Sequence, residues 1–153
     1  MRRLLLTVVS VAALLPAAAA AGPQAQVNGG GRGTLDGATP FSQFGFQVAK
    51  TADGAVHGYF NCLMAGSSRV DPFTLMAVRG KVTSLSISGD TATFEGSGML
   101  QTGNLGKEAT TFRVVVTDGG PGDGTLQLTA FTTSLGTVAL PTEDVLNGRI
   151  AVG

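Results

Sequence analysis

The stretch "TDGGPGDGT", residues 117–125, sets two carboxylates, Asp118 and Asp123, around Gly119, Gly120, Pro121 and Gly122. Acids flanking a flexible loop are the raw material of a calcium site. That ion asks for about six to eight oxygens, however, and two carboxylates with local carbonyls leave most of the shell to water. The loop also misses the G-G-x-G-x-D spacing of calcium β-helices, because Asp123 follows Gly122 directly. Backbone chemistry explains the same residues without an ion. Pro121 presets φ near about −65° at the second position of a type II turn, and Gly122 supplies positive φ at the third. Asp118 and Asp123 therefore stand as metal candidates for calcium alone, beside a simpler reading as a hairpin turn.

A second group lies in "VHGYFN", where His57, Tyr59 and Asn61 alternate on one face of an expected strand. His57 is the only histidine and Tyr59 the only tyrosine. Together they could orient a ligand or shuttle a proton, and a solvent-facing polar strand face would use the same residues. Cys62, the single cysteine, alternates in register with Phe60 and Met64. That pattern predicts a small buried hydrophobe rather than a nucleophile. Paired-carboxylate chemistry needs two acids opposed across a cleft. Glu95, Glu108, Glu143 and Asp144 are available, but their contexts predict exposed strand faces or loops. No GxSxG is present, and one His with one Cys cannot complete a structural zinc site. No catalytic residue and no cofactor is expected.

The elements that must position these groups are strands. All 23 Gly lie at or beyond Gly22 and break any helical stripe. Alternation with a period of two runs instead through Phe44, Phe46 and Val48, through Phe112, Val114 and Val116, and through Leu126, Leu128 and Ala130. Such patterns mark half-buried antiparallel strands. Strands are expected near 27–35, 41–50, 56–64, 73–79, 81–88, 91–100, 111–118, 125–133 and 145–152. The predicted fold is all-β, an antiparallel meander forming a β-sandwich or closed small β-barrel of about 8–10 strands. Glycines in "GGGRG", "GSG" and "NGR" predict bulges or bends where backbones approach closely.

Arg2 and Arg3, an apolar run from Leu4 to Leu15, Pro16 and then Ala17 to Ala21 have the layout of a cleaved secretory signal peptide. The run is too short to cross about 30 Å of hydrocarbon as a helix, so no membrane anchor is expected after cleavage. The division expected is 1–21 signal peptide, 22–30 flexible lead-in and 31–153 single all-β domain. The chain balances 10 basic against 10 acidic residues. Without Arg2 and Arg3 it is slightly acidic, and no basic run follows them, which excludes a nucleic-acid partner.

The segment "VRGKVTSLSISGDTATFEGSGML" (78–100) resembles the V-x-G-x-V…G-x-x-A-x-F-x-G-x-G pattern of secreted bacterial β-domains of the post-COAP-1 type. "FRVVVTDGGPGDGTLQLTA" (112–130) and "LNGRIAV" (146–152) are similar to further stretches of that family. The chain departs where Gly120 replaces a frequent Glu and where Asp123 comes early. The resemblance implies fold and export, and carries no activity. The function expected is an exported, non-catalytic β-domain with a binding or structural role at the cell exterior, its partner an extracellular protein. An alternative is a β-barrel holding a small apolar ligand among Phe46, Phe60, Met64, Phe94 and Phe112. A hydrolase or isomerase using His57 and Tyr59 comes third.

Overall fold

The computed structural model describes residues 22–64, 76–103 and 106–153. The expected signal peptide, and the first part of the strand expected at 73–79, lie outside them. Nine antiparallel strands form one sheet: β1 (Ala25–Thr34), β2 (Pro40–Lys50), β3 (Val56–Met64), β4 (Met76–Ser88), β5 (Thr91–Thr102), β6 (Gly106–Thr117), β7 (Thr125–Thr132), β8 (Gly136–Ala139) and β9 (Glu143–Val152). Successive hairpins carry the meander from β1 to β7, and β9 then pairs with both β7 and β1. The sheet thus closes into a ring, with β8 attached to β7 outside the circuit.

The alternating apolar residues all point inward. Phe44, Phe46, Val48, Phe60, Cys62, Met64, Phe94, Phe112, Val114, Val116, Leu126 and Leu128 are each at most 3% exposed. Five phenylalanines meet one another across the interior. Ring centroids are 5.2 Å apart for Phe46 and Phe94, 5.8 Å for Phe60 and Phe94, and 5.4 Å for Phe60 and Phe112. Phe44 continues the stack on Phe46 at 6.1 Å.

Glycine makes room for these rings. A Cβ at Gly29 would stand 2.5 Å from Cζ of Phe46, and one at Gly80 or Gly96 would stand 2.7 or 2.6 Å from the ring of Phe112. Small residues facing large ones let a narrow ring fill itself with side chains.

The expected bends are realised unevenly. "GGGRG" does shift register, between Arg32 and Gly33 against β9 and between Gly33 and Thr34 against β2. In "NGR", Gly148 has φ +93° and passes so close to β1 that a Cβ would meet the Gly30 carbonyl oxygen at 2.0 Å. "GSG" does bring backbones close, since a Cβ at Gly98 would meet the Arg79 carbonyl oxygen, and the register shift lies opposite it, between Val82 and Ser84.

Several boundaries differ from expectation. The strands expected at 73–79 and 81–88 are one element, β4, because Gly80 between them pairs with Phe60 of β3 and Gly98 of β5. β1 begins at Ala25, inside the stretch expected to be a flexible lead-in, since Ala25 to Gly30 pair with β2 and, from Val27, with β9. β6 starts at Gly106, and the four-residue β8 was not expected.

Candidate functional site

His57, Tyr59 and Asn61 do share the outward face of β3. Cross-strand pairing sets His57 beside Ala49, Tyr59 between Gln47 and Lys81, and Asn61 between Gly45 and Arg79. His57 is exposed and Tyr59 is 56% exposed. The Asn61 amide oxygen is buried and has no hydrogen-bond partner. The cross-strand partners of this row include no acid, while Asp53 in the β2–β3 turn interacts electrostatically with His57, so the face presents donors, acceptors and a ring.

The loop at 118–124 is a turn with a second task. The Gly120 carbonyl accepts from the Asp123 amide at 3.1 Å, with Pro121 and Gly122 as the central residues and Gly122 at φ +83°. Asp118 does not reach toward Asp123: its Oδ2 accepts from the Val152 amide at 2.9 Å, and its Oδ1 lies 4.0 Å from Arg149 Nη2. Asp123 is exposed. Among the described residues, no group of three or more His, Cys, Asp or Glu gathers around a common point.

What the loop does hold is β9. Gly119 and Ile150 exchange both backbone hydrogen bonds, at 3.1 and 2.9 Å. The Val145 carbonyl accepts from Gly122 at 3.0 Å, and the Val145 amide donates to Gly124 at 2.8 Å. The β7–β9 ladder itself has two residue pairs, Thr125 with Asp144 and Leu126 with Glu143, and is the shortest in the ring. The loop therefore completes the closure that the ladder only begins.

The second polar site is inside. Thr34, Ser42, Thr102, Thr110, Thr132 and Glu143 are the buried polar residues among those described, each at most 4% exposed. Of these, Thr34 and Ser42 come to the start of β9, where β1 ends and β2 begins, while Thr102, Thr110 and Thr132 lie on β5, β6 and β7. Most of the threonines are bonded locally. Thr34 donates to Asp36 at 2.9 Å, Thr110 donates to the Phe131 carbonyl at 2.9 Å, and Thr132 accepts from the Leu135 amide at 3.1 Å.

Glu143 is the exception, and it corrects the expectation of an exposed acid. It is 1% exposed, at the start of β9 in a strand that alternates Glu143 and Val145 inward with Asp144 outward. The Ser42 hydroxyl donates to Oε2, while Oε1 has no partner. A Cβ at Gly33 would stand 2.0 Å from Oε2, so glycine there leaves the space that the carboxyl fills. Burial pushes the Glu143 carboxyl up to about 7, against the opposing pull of the Ser42 hydroxyl. Cys62 is beside this pair. Burial pushes its thiol up to about 12, with the Glu143 charge adding to the rise and the Ser42 hydroxyl opposing it. A thiol held so far from ionisation is a poor nucleophile.

Sequence reasoning passed over Glu143 because residues 140–142 break the strand pattern before it. The available signal was its spacing of two from Val145.

Outside, an open groove of about 470 Å³ crosses β5, β6, β7 and β8. Ser97, Thr111, Thr129 and Thr137 line it, with the Glu95–Arg113 ion pair (3.3 Å) at one side. Phe131, 53% exposed, stands between this groove and a second of about 430 Å³ that runs toward Thr133. Register explains the juxtaposition: Ser97, Thr111, Phe131 and Thr137 are successive cross-strand partners on one row.

Fold and sites together define a closed antiparallel ring with an aromatic interior, a buried carboxyl at one end and an exposed aromatic row outside. No family model, no curated protein and no solved structure matches this chain.

Proposed function

We propose that this is an exported, non-catalytic β-domain that binds a partner at the cell exterior through the outward face of β5 to β8, centred on Phe131. The observation that carries this reading is the contrast between the two faces of the sheet. Inside, Phe46, Phe60, Phe94 and Phe112 contact one another where a small apolar ligand would have to sit. Outside, Phe131 is held half in water by a row of hydroxyl-bearing neighbours. Exposed aromatics beside polar groups are the usual anchors of recognition surfaces.

The apolar-in, polar-out alternation is the reverse of a sheet that faces lipid, which agrees with action in water outside the cell. The leader layout of residues 1–21 and the resemblance to secreted bacterial β-domains support export. The reading with His57 and Tyr59 as an acid–base pair lacks a carboxylate on their row.

The test is co-sedimentation of the exported protein with washed cell-envelope material, comparing the native chain with Phe131→Ala and with His57→Ala. Loss of binding in the first variant alone, with an unchanged melting curve, is expected. Equal retention of both variants would remove the Phe131 face from consideration.

A further inference from the structure

The ring is closed at its shortest ladder, and one of the two residue pairs there contains a buried acid. A carboxylate with no opposite charge beside it is costly in an apolar interior, whereas the neutral acid is tolerated with a single hydrogen bond. The groups that face Glu143 are few. β1 brings Gly33 and Thr34, β2 brings Ser42, β3 brings Cys62 and β7 brings Leu126. Cys62 is the titratable one, and it stays neutral. Asp144, next in the chain, points outward. Among the described residues, no Lys, Arg or His forms an ion pair with the carboxyl. Oε1 is left without a partner. Among the described residues, only the Ser42 hydroxyl is seen to stabilise the ionised form.

Ionised Glu143 is satisfied by water, and water is nearest past the start of its own strand, where Pro141 and Thr142 are exposed. Turning the side chain out requires Glu143 and Asp144 to leave β7 and Asp144 to leave Thr34 of β1. It does not disturb the long β4–β5 or β5–β6 ladders.

We propose that Glu143 is a pH-sensitive fastening of the ring: protonated, it seats β9 against β7, and ionised, it releases the start of β9 so that this end of the ring opens. The direction follows from the geometry. The closed state favours the proton, so the closed state is most stable below the ordinary carboxyl value of 4.5 and loses ground as pH rises toward about 7. The opening needs no ligand, and it holds whatever the outer face binds.

Hydrogen–deuterium exchange of the full chain, expressed as protection factors, tests this at about pH 5 and about pH 8. In the native chain, peptides covering residues 140–147 should lose about tenfold or more of their protection at the higher pH, while peptides within 80–98 hold theirs. Glu143→Gln keeps the size and an oxygen for the Ser42 bond but cannot ionise, and its protection should not change with pH. Ser42→Ala removes the one bond that offsets the cost of burying the ionised form, so its loss of protection between the two pH values should exceed that of the native chain. A loss of protection in the native chain shared by Glu143→Gln, a loss spread evenly over all strands, or a loss in Ser42→Ala no larger than the native one would each overturn the proposal.

Discussion

The ring of Phe112 occupies the place where a side chain at Gly96 would be: a Cβ there would stand 2.6 Å from Cζ and 2.1 Å from the Lys81 carbonyl oxygen. Gly96→Ala should therefore destabilise the fold by about 1–3 kcal/mol, as overpacking does in a filled core. Gly45, whose Cβ would meet nothing within 4 Å, is the matched control, and its Ala variant should change stability by about 0.5 kcal/mol or less. Urea unfolding of both variants measures the difference. Equal effects would mean that the interior can shift to admit the methyl group.

Cys62 is 1% exposed and its thiol is raised to about 12. Native protein near neutral pH should react with a thiol reagent only slowly, and denatured protein rapidly, as followed by mass spectrometry. Fast labelling of native protein would place the thiol at the surface, against its burial in the core.

Gly122 at φ +83° makes a turn that β-branched residues resist. Gly122→Val should lower stability by about 1–3 kcal/mol, from strain at a sparsely populated φ. Millimolar calcium or a chelator should leave the melting temperature of the native chain unchanged, because Asp118 is engaged with Val152. A calcium-dependent rise lost in the Asp118→Ala, Asp123→Ala double variant would establish an ion site instead.

Asp36 organises the loop after β1. The amides of Thr39 and Ala38 and the hydroxyls of Thr39 and Thr34 hold its carboxyl well below the usual carboxylate range. A depressed acid contributes stability that is present above its unfolded value and lost as pH falls through its folded one. The β1–β2 connection should accordingly stay ordered down to strongly acid pH in the native chain, and in Asp36→Asn be looser already at neutral pH with no such acid-dependent loss. Carboxyl titration by NMR checks it, and an Asp36 midpoint at the ordinary value of 3.8 would contradict the hydrogen-bond network.

Much of this architecture was legible in the residues, and the reason is the period of two. Phe44, Phe46 and Val48, or Phe112, Val114 and Val116, could only face inward together in a half-buried strand, and they do. The turn at Pro121 and Gly122 was readable for a similar reason, since few backbones accept that pair elsewhere.

Long-range consequences were not legible. No local pattern says that Gly119 will pair with Ile150, or that β8 will branch from β7 outside the circuit. The burial of Glu143 had one local signal, its spacing of two from Val145, but the expected strand begins only at 145. Its burial is decided by Gly33 and Ser42, which lie far away in the chain and come beside it only when the ring closes. Phe131 was set among strand residues correctly, yet its exposure depends on β7 presenting Thr129 and Phe131 outward as a row with Thr111 and Thr137.

The pairing of β1 with β9 has a consequence in time. Every hairpin from β1 to β7 can form as soon as its two strands exist, but the outer edge of β1 waits for the last strand of the chain. A polypeptide emerging N-terminus first would hold that edge open until residues 143–152 arrive. Closure over so long a separation is the slow step expected of such a topology. Until it happens, β1 offers Ala25 to Thr34 as a bare template to any neighbouring strand. The glycine-rich run at 29–33 makes that template a weak one, since it has few side chains to grip a wrong partner.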